Sequence, residues 1–183
     1  MSRRLSMTLH RQVEHARQSV LVRLEGLTDD EFFWEPVPGC WTIRRISSGE
    51  QHFNGTGEWI YDYAIPDPDP PPFTTIGWRL VHIGSINDMF FEHVFGPAVR
   101  DYPDQQIPHE ARAAVEWWDE GLRKFSLQLD EIEDSELERV VSTPWRVTRS
   151  VEEWVHVVVH ENIHHGAEIG VLRDLYRHNF LRA

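Results

Sequence analysis

The stretch HVVVHENIHHGAEIG, residues 156–170, holds four histidines and two glutamates in fifteen positions. Apolar residues around it, from Trp154 to Leu175, follow the helical period, and Ser150 with Glu153 makes a capping box before them. They predict one long helix that ends near Arg177. Residues 160–164 also spell H-E-x-x-H, the zinc signature of many metalloproteases.

Three further long helices are predicted upstream. The first spans about Ser6–Leu24, with an apolar stripe at every third or fourth residue. The second follows a cap at Thr74 or Thr75, and the third follows Pro108, which suits a first helical turn. Four long helices and almost no credible strand predict an all-α fold, a four-helix bundle, in a single domain of residues 1–183.

Residues 35–73 interrupt this pattern as a long irregular insertion between the first and second long helices. Its run PDPDPPP, residues 66–72, cannot be helical, because proline removes a hydrogen-bond donor and clashes with the preceding turn. Residues 58–65, EWIYDYAI, suggest a short helix. A loop of this length in a compact domain is usually functional, so we expect it to cover the open end of the bundle.

Composition narrows the function classes. The formal net charge is −12, which argues against nucleic acid or an anionic membrane as a partner, because both are bound through Lys and Arg. Cys40 is the only cysteine, so no disulfide is possible, and no stretch has the length of a membrane span. We expect a cytoplasmic protein, a monomer or homodimer, that acts on a small molecule.

The histidines predict a metal site. His160 and His164 lie four residues apart on one helical face, so they can share one ion. A catalytic zinc usually has three protein ligands, and His82, central in the second long helix, is the best third candidate. Alternatively, the pair simply faces solvent, and His82 is a core histidine.

Two known metal sites share parts of this pattern. A zinc protease would use Glu161 as its general base and needs a third ligand downstream, but the H-x-x-G-x-x-H extension is absent after His164. A di-iron carboxylate bundle needs a Glu-x-x-His pair from each of two helices and two more glutamates, and Glu161 with His164 supplies one pair. Both interpretations are weaker than a mononuclear site.

The stretch TTIGWRLVHIG, residues 74–84, followed some 80 residues later by HENIHHGAEIGVLRDLY, resembles the DinB superfamily, which includes mycothiol-dependent maleylpyruvate isomerase. That resemblance implies a four-helix bundle with a divalent metal on His82, His160 and His164. Where the family often has Arg-Gly-Gln after the pair, this chain has His165-Gly166-Ala167-Glu168. The departure indicates a divergent branch and weakens the transfer of any one activity.

The resemblance also implies an activity. Relatives are thiol-dependent transferases or isomerases, so we expect a zinc or nickel ion that activates a low-molecular-weight thiol such as mycothiol. Arg79, three residues before His82, is a candidate for binding an anionic group, or else a surface salt bridge. A metal-dependent hydrolase and a non-catalytic metal-binding stress-response module stay open as alternatives. In the non-catalytic module, His156 or Glu168 would close the site as a fourth ligand.

Overall fold

The chain is mostly helical. The computed structural model describes residues 2–66 and 68–180, and none of the helices in these ranges is both long and apolar enough to cross a membrane. Its helices are α1 (Arg4–Leu24), α2 (Asp29–Phe33), α3 (Ile76–Val94), α4 (Ala111–Glu131), α5 (Asp134–Leu137) and α6 (Val151–Phe180). Its strands pair antiparallel, β1 (Ile43–Arg45) with β2 (Trp59–Tyr61), and β3 (Val140–Ser142) with β4 (Thr148–Ser150).

The four long helices share one core. Helix α1 packs against α4 and α6, and α3 packs against the same two helices from the other side. The predicted stripe on α1 is confirmed, since all its residues are buried: Leu9, Val13, Ala16, Val20 and Leu24. On α6, a methyl group at Gly166 would overlap the Val20 side chain, so glycine allows α1 to approach α6 closely at this point.

Capping residues fix where the helices begin. The capping boxes of Thr28 with Glu31 and of Ser150 with Glu153 are both formed, and the Thr75 side chain accepts the Trp78 N–H at the start of α3. The prediction for Pro108 was wrong: α4 begins at Ala111, after an N-cap at Glu110, and so leaves Pro108 in the preceding loop.

A buried polar network fixes the rotation of α6 against α3 and α4. Asn162 Oδ1 accepts hydrogen bonds from Trp118 Nε1 at 2.7 Å and from Asn87 Nδ2 at 3.3 Å. Its Nδ2 donates to Asn87 Oδ1 at 2.8 Å. Because an unpaired buried amide is costly, this network favours one rotation of α6 in which Asn162 points into the core.

The segment 35–73 lies against α3. Residues 58–65 are not a short helix, because Trp59–Tyr61 pairs with β1 as a strand. Their aromatic and β-branched side chains suit an extended strand with one buried face. Hydrogen-bonding contacts help to join the segment to α3: Trp78 Nε1 donates to Asp62 O at 2.7 Å, and Tyr61 Oη lies 3.2 Å from Ser85 Oγ. The segment therefore covers the part of α3 that carries His82.

Candidate metal centre

His82 lies at the middle of α3, where the covering segment meets the helix. The Trp78 ring, one turn earlier, stacks on the imidazole with 4.7 Å between centroids and 13° between planes. Tyr61 approaches the same imidazole edge-on, at 6.5 Å between centroids. Only 18% of the His82 side chain is exposed. These aromatic contacts hold the ring in place against the helix.

The rotation of α6 decides which of its residues face His82. An α-helix turns by about 100° per residue, so His160 and His164 lie roughly 160° from the buried Asn162. Both histidines are exposed to solvent. Glu161 and His165 lie to one side of Asn162, on the flank that packs against α3. Gly166 lies on the other flank, where it meets α1.

His82, Glu161 and His165 consequently form one group. Glu161 Oε2 lies 3.7 Å from His82 Nε2 and 3.5 Å from His165 Nε2. All the candidate ligand atoms lie within 4.8 Å of one another, and each of the three residues is partly buried. The imidazoles of His82 and His165 are perpendicular, with 5.0 Å between their centroids. The carboxylate therefore lies between two imidazole nitrogens contributed by two helices.

The electrostatics of the group suit a cation. The neighbouring imidazoles, His165 first and His82 second, hold the pKa of the Glu161 carboxyl far below its usual range, although burial opposes this. Burial is the main cause that lowers the pKa of His165. At neutral pH the group therefore offers a carboxylate together with a neutral imidazole at His165, and neutral imidazole is the form of histidine that binds metals.

The spacing also fits one metal ion. Two atoms that each bind a Zn²⁺ at about 2.0–2.2 Å cannot be more than about 4.4 Å apart. The two separations from Glu161 Oε2, 3.7 Å and 3.5 Å, meet this limit. Two imidazoles and one carboxylate are also a known donor set of catalytic zinc sites. The residues therefore fit a divalent metal.

A second group, His164, His165 and Glu168, offers a less suitable arrangement. It shares His165 with the first group, and His164 is 54% exposed. Arg79 Nη1 contacts Glu168 Oε2 directly, which places a guanidinium where a cation would have to bind. Burial is also the main cause that lowers the pKa of His164. Of these two groups, the one around Glu161 is the better metal site.

The structure places only some of the site residues predicted from the sequence in this group. His82 lies in the group, whereas His160 and His164 face solvent and are not among its three residues. The His164 ring lies next to the His165 ring, with 4.8 Å between their centroids. Arg79 contacts Glu168 and is 12% exposed. The sequence analysis missed Glu161 and His165 as candidate ligands, although their spacing of four residues equals that of His160 and His164. Ile163, one of the apolar residues between Trp154 and Leu175, is 53% exposed.

Comparisons with known proteins bear on the fold and the family of the chain. The chain matches the solved structure of a DinB-like protein from Bacillus cereus ATCC 10987 with a TM-score of 0.62 and 14% sequence identity, over 92% of this chain and 90% of that one. Among curated proteins, none matches significantly. The sequence model of the DinB superfamily matches residues 12–169. A match over that much of the sequence means that the chain belongs to the DinB superfamily.

Proposed function

We propose that the protein is a divalent-metal-dependent enzyme whose metal ligands are His82, Glu161 and His165. The observation that carries this proposal is the position of the ionised Glu161 carboxylate, within 3.7 Å of two imidazole nitrogens from different helices. A bound zinc or nickel ion would supply a Lewis acid, which lowers the pKa of a thiol or a water molecule. The ligand set differs from the His82, His160 and His164 set that we expected, which stays an alternative prediction.

The residues of the site would each have a distinct part. Glu161 contributes the one negative charge and so reduces the net charge of a bound divalent ion. Trp78 holds the His82 ring by stacking on it. The pairing of β2 with β1 holds Tyr61 beside the same ring. We propose that segment 35–73 shapes the pocket by holding Tyr61 there. We also propose that the pocket lies at one end of a four-helix bundle like that of the DinB superfamily.

A metal position that neither His156 nor Glu168 closes as a fourth ligand favours catalysis over a closed structural site. Glu168 contacts the Nδ1 edge of His165, and Glu161 faces the Nε2 edge. His156 is 54% exposed and pairs with Glu152, one turn before it. Neither of the two residues considered as a fourth ligand therefore lies beside the Nε2 atoms. This arrangement favours an enzyme over a non-catalytic metal-binding module.

We propose thiol-dependent group transfer or isomerisation as the reaction, with a low-molecular-weight thiol such as mycothiol as the cosubstrate. Membership of the DinB superfamily supports this proposal by analogy. The chemistry needs no side-chain nucleophile, and Cys40 is a poor one, because burial raises the pKa of its buried thiol. An anionic substrate that bound Arg79 would have to displace Glu168 from it.

Hydrolysis is a second candidate, and the ligand set favours it. Two histidines and one glutamate are the protein ligands of well-known zinc hydrolases. A site open enough for a thiol also admits water. Under either reaction we propose a small-molecule substrate, a cytoplasmic location, and no nucleic acid or membrane partner.

Metal binding separates the two ligand sets. Untagged protein, stripped of metal, is titrated with Zn²⁺ against a competing chelator. Glu161→Gln and His82→Ala should each severely weaken binding of the tightest Zn²⁺ equivalent. His160→Ala, the matched control at a solvent-exposed position of α6, should leave that binding unchanged. If His160→Ala abolished Zn²⁺ binding and Glu161→Gln left it intact, the ligands would instead be His82, His160 and His164.

Thiol binding separates the two reactions. Calorimetry of the metal-loaded protein with mycothiol, bacillithiol or glutathione should detect an affinity that disappears when the metal is removed. After cobalt substitution, the thiol should add a thiolate charge-transfer band. If no thiol binds at millimolar concentration, the transferase proposal fails and hydrolysis takes its place.

A further inference from the structure

Glu168 lies beside the edge of the His165 ring that points away from Glu161. Its Oε2 is 2.7 Å from His165 Nδ1, whereas Glu161 Oε2 is 3.5 Å from His165 Nε2. Two carboxylates therefore compete for the single N–H proton of a neutral imidazole. The contact with Glu168 is a hydrogen bond of ordinary length, and the contact with Glu161 is at the outer limit for one.

Arg79 strengthens the position of Glu168. Its Nη1 contacts Glu168 Oε2 and lies 3.4 Å from His165 Nδ1. A guanidinium only donates and an ionised carboxylate only accepts hydrogen bonds, so Glu168 Oε2 accepts from Arg79 Nη1 and from an N–H at His165 Nδ1. Arg79 also lies on α3, one turn before His82. Arg79 therefore links α3, which carries the proposed ligand His82, to Glu168, which contacts the proposed ligand His165.

We infer that Glu168, anchored by Arg79, is a positioning residue that fixes His165 in the Nδ1–H form, so that Nε2 presents its lone pair towards His82 and Glu161. A histidine that binds a metal commonly donates its other ring N–H to a carboxylate, which fixes the tautomer and makes the ligand more basic. This inference rests on the proposed function, because positioning matters only if His165 binds a metal.

The inference gives Arg79 a different role from binding an anionic substrate. Its side chain is only 12% exposed, and its Nε is buried with no hydrogen-bond partner among the residues that the structure describes. Leaving a polar atom unpaired is costly. The side chain is therefore held in place by its contact with Glu168 and by the Phe73 ring, whose centroid lies 5.9 Å from Cζ.

The tautomer of His165 can be measured without a metal. In metal-free protein labelled with ¹⁵N-histidine, long-range ¹H–¹⁵N correlation spectra distinguish the Nδ1–H form, the Nε2–H form and the imidazolium. The wild type should show the Nδ1–H form, and Glu168→Ala should shift His165 towards the Nε2–H form, with Glu161 as the acceptor. Glu152→Ala is the matched control, because it removes the carboxylate beside His156 on the same helix. An imidazolium, or an unchanged tautomer in Glu168→Ala, would overturn the inference.

Metal affinity supplies the second measurement. Glu168→Ala should weaken Zn²⁺ binding about 10–100-fold, as is typical when such a partner of a ligand is lost. Glu168→Gln keeps an acceptor oxygen and should recover part of the affinity, and Arg79→Gln should cause a smaller loss than Glu168→Ala. If Glu168→Ala binds normally while Glu161→Ala does not, this inference fails and the proposed function stands. If Glu161→Ala and His82→Ala both keep full affinity, the proposed function itself fails.

Discussion

Glu161 and His165 lie one turn apart on α6, and Glu161 Oε2 lies 3.5 Å from His165 Nε2 on the flank that faces His82. The H-E-x-x-H letters start one residue earlier, at His160. In the protease signature the two histidines bind zinc and the glutamate is the base. On α6 the glutamate itself lies beside the α3 histidine, while both histidines of the signature face solvent. The protease interpretation therefore has no support in this geometry.

Metal binding should stabilise the fold. At a free Zn²⁺ concentration 100 times its Kd, the ion adds about 2.7 kcal/mol to the free energy of unfolding. For a chain of this size, that corresponds to a rise in Tm of roughly 5–10 °C. Differential scanning calorimetry with and without Zn²⁺ measures this rise. Glu161→Gln should lose most of it and His160→Ala should keep it, so an equal rise in both variants would contradict the proposed site.

The Asn162 network should contribute strongly to stability. Asn162→Ala leaves the Trp118 indole N–H and the Asn87 amide buried without their partner. We expect a loss of about 1–3 kcal/mol for each group left unpaired. Urea unfolding measures the loss. Gln18→Ala, at an exposed position on α1, is the control and should change the free energy of unfolding by less than about 0.5 kcal/mol. Equal effects of the two substitutions would exclude this role.

The ion pair between α2 and α6 should be costly to break. Arg173 Nη2 lies 2.9 Å from Glu31 Oε2, and the two side chains are 1% and 5% exposed. Glu31→Ala leaves a buried guanidinium without its counterion, so we expect the free energy of unfolding to fall by about 3–5 kcal/mol. Asp174→Ala removes the neighbouring exposed partner of Arg23 and should cost at most about 1 kcal/mol. Chemical denaturation of both variants compares them directly.

The salt bridge of the covering segment should titrate at low pH. Hydrogen bonds from Arg44 are the main cause that lowers the pKa of Glu50 to about 2. Because the folded-state pKa is depressed, the contribution of Glu50 to stability is present above its usual pKa of 4.5 and is lost as the pH falls towards about 2. A ¹³C NMR titration of the Glu50 carboxyl should show this low midpoint, and in Arg44→Met the midpoint should return towards 4.5. A midpoint near 4.5 in the wild type would refute the prediction.

Local signals in the sequence predicted much of the fold. The stripe on α1 and the capping box at Ser150 depend on neighbours within one or two turns, so the sequence alone reveals them. The strand Trp59–Tyr61 was missed because it forms only by pairing with β1, some 15 residues earlier. Whether these residues form a strand depends on their pairing with β1, which the spacing of residues within one segment does not show.

The candidate ligands on α6 also depend on contacts between elements that are distant in the sequence. Residues 160 and 164 share their spacing with residues 161 and 165, so spacing does not distinguish the two pairs. The buried Asn162 and its bonds to α3 and α4 set the rotation. Val158 and other buried apolar residues of α6 lie on a different face of the helix from His160 and His164. A polar residue at the centre of the buried face, Asn162, was the signal that could have fixed the rotation.

The outward-facing histidines have a practical consequence for purification and for counting metal ions. His160 and His164 lie one turn apart on a water-facing surface, with 5.9 Å between their ring centroids. Such a pair can act as a bidentate chelator on the surface of the helix. The untagged protein should therefore be retained on a nickel affinity column through this pair, and metal content after such a column should exceed one equivalent per chain. Stoichiometry by itself would then overcount the buried site.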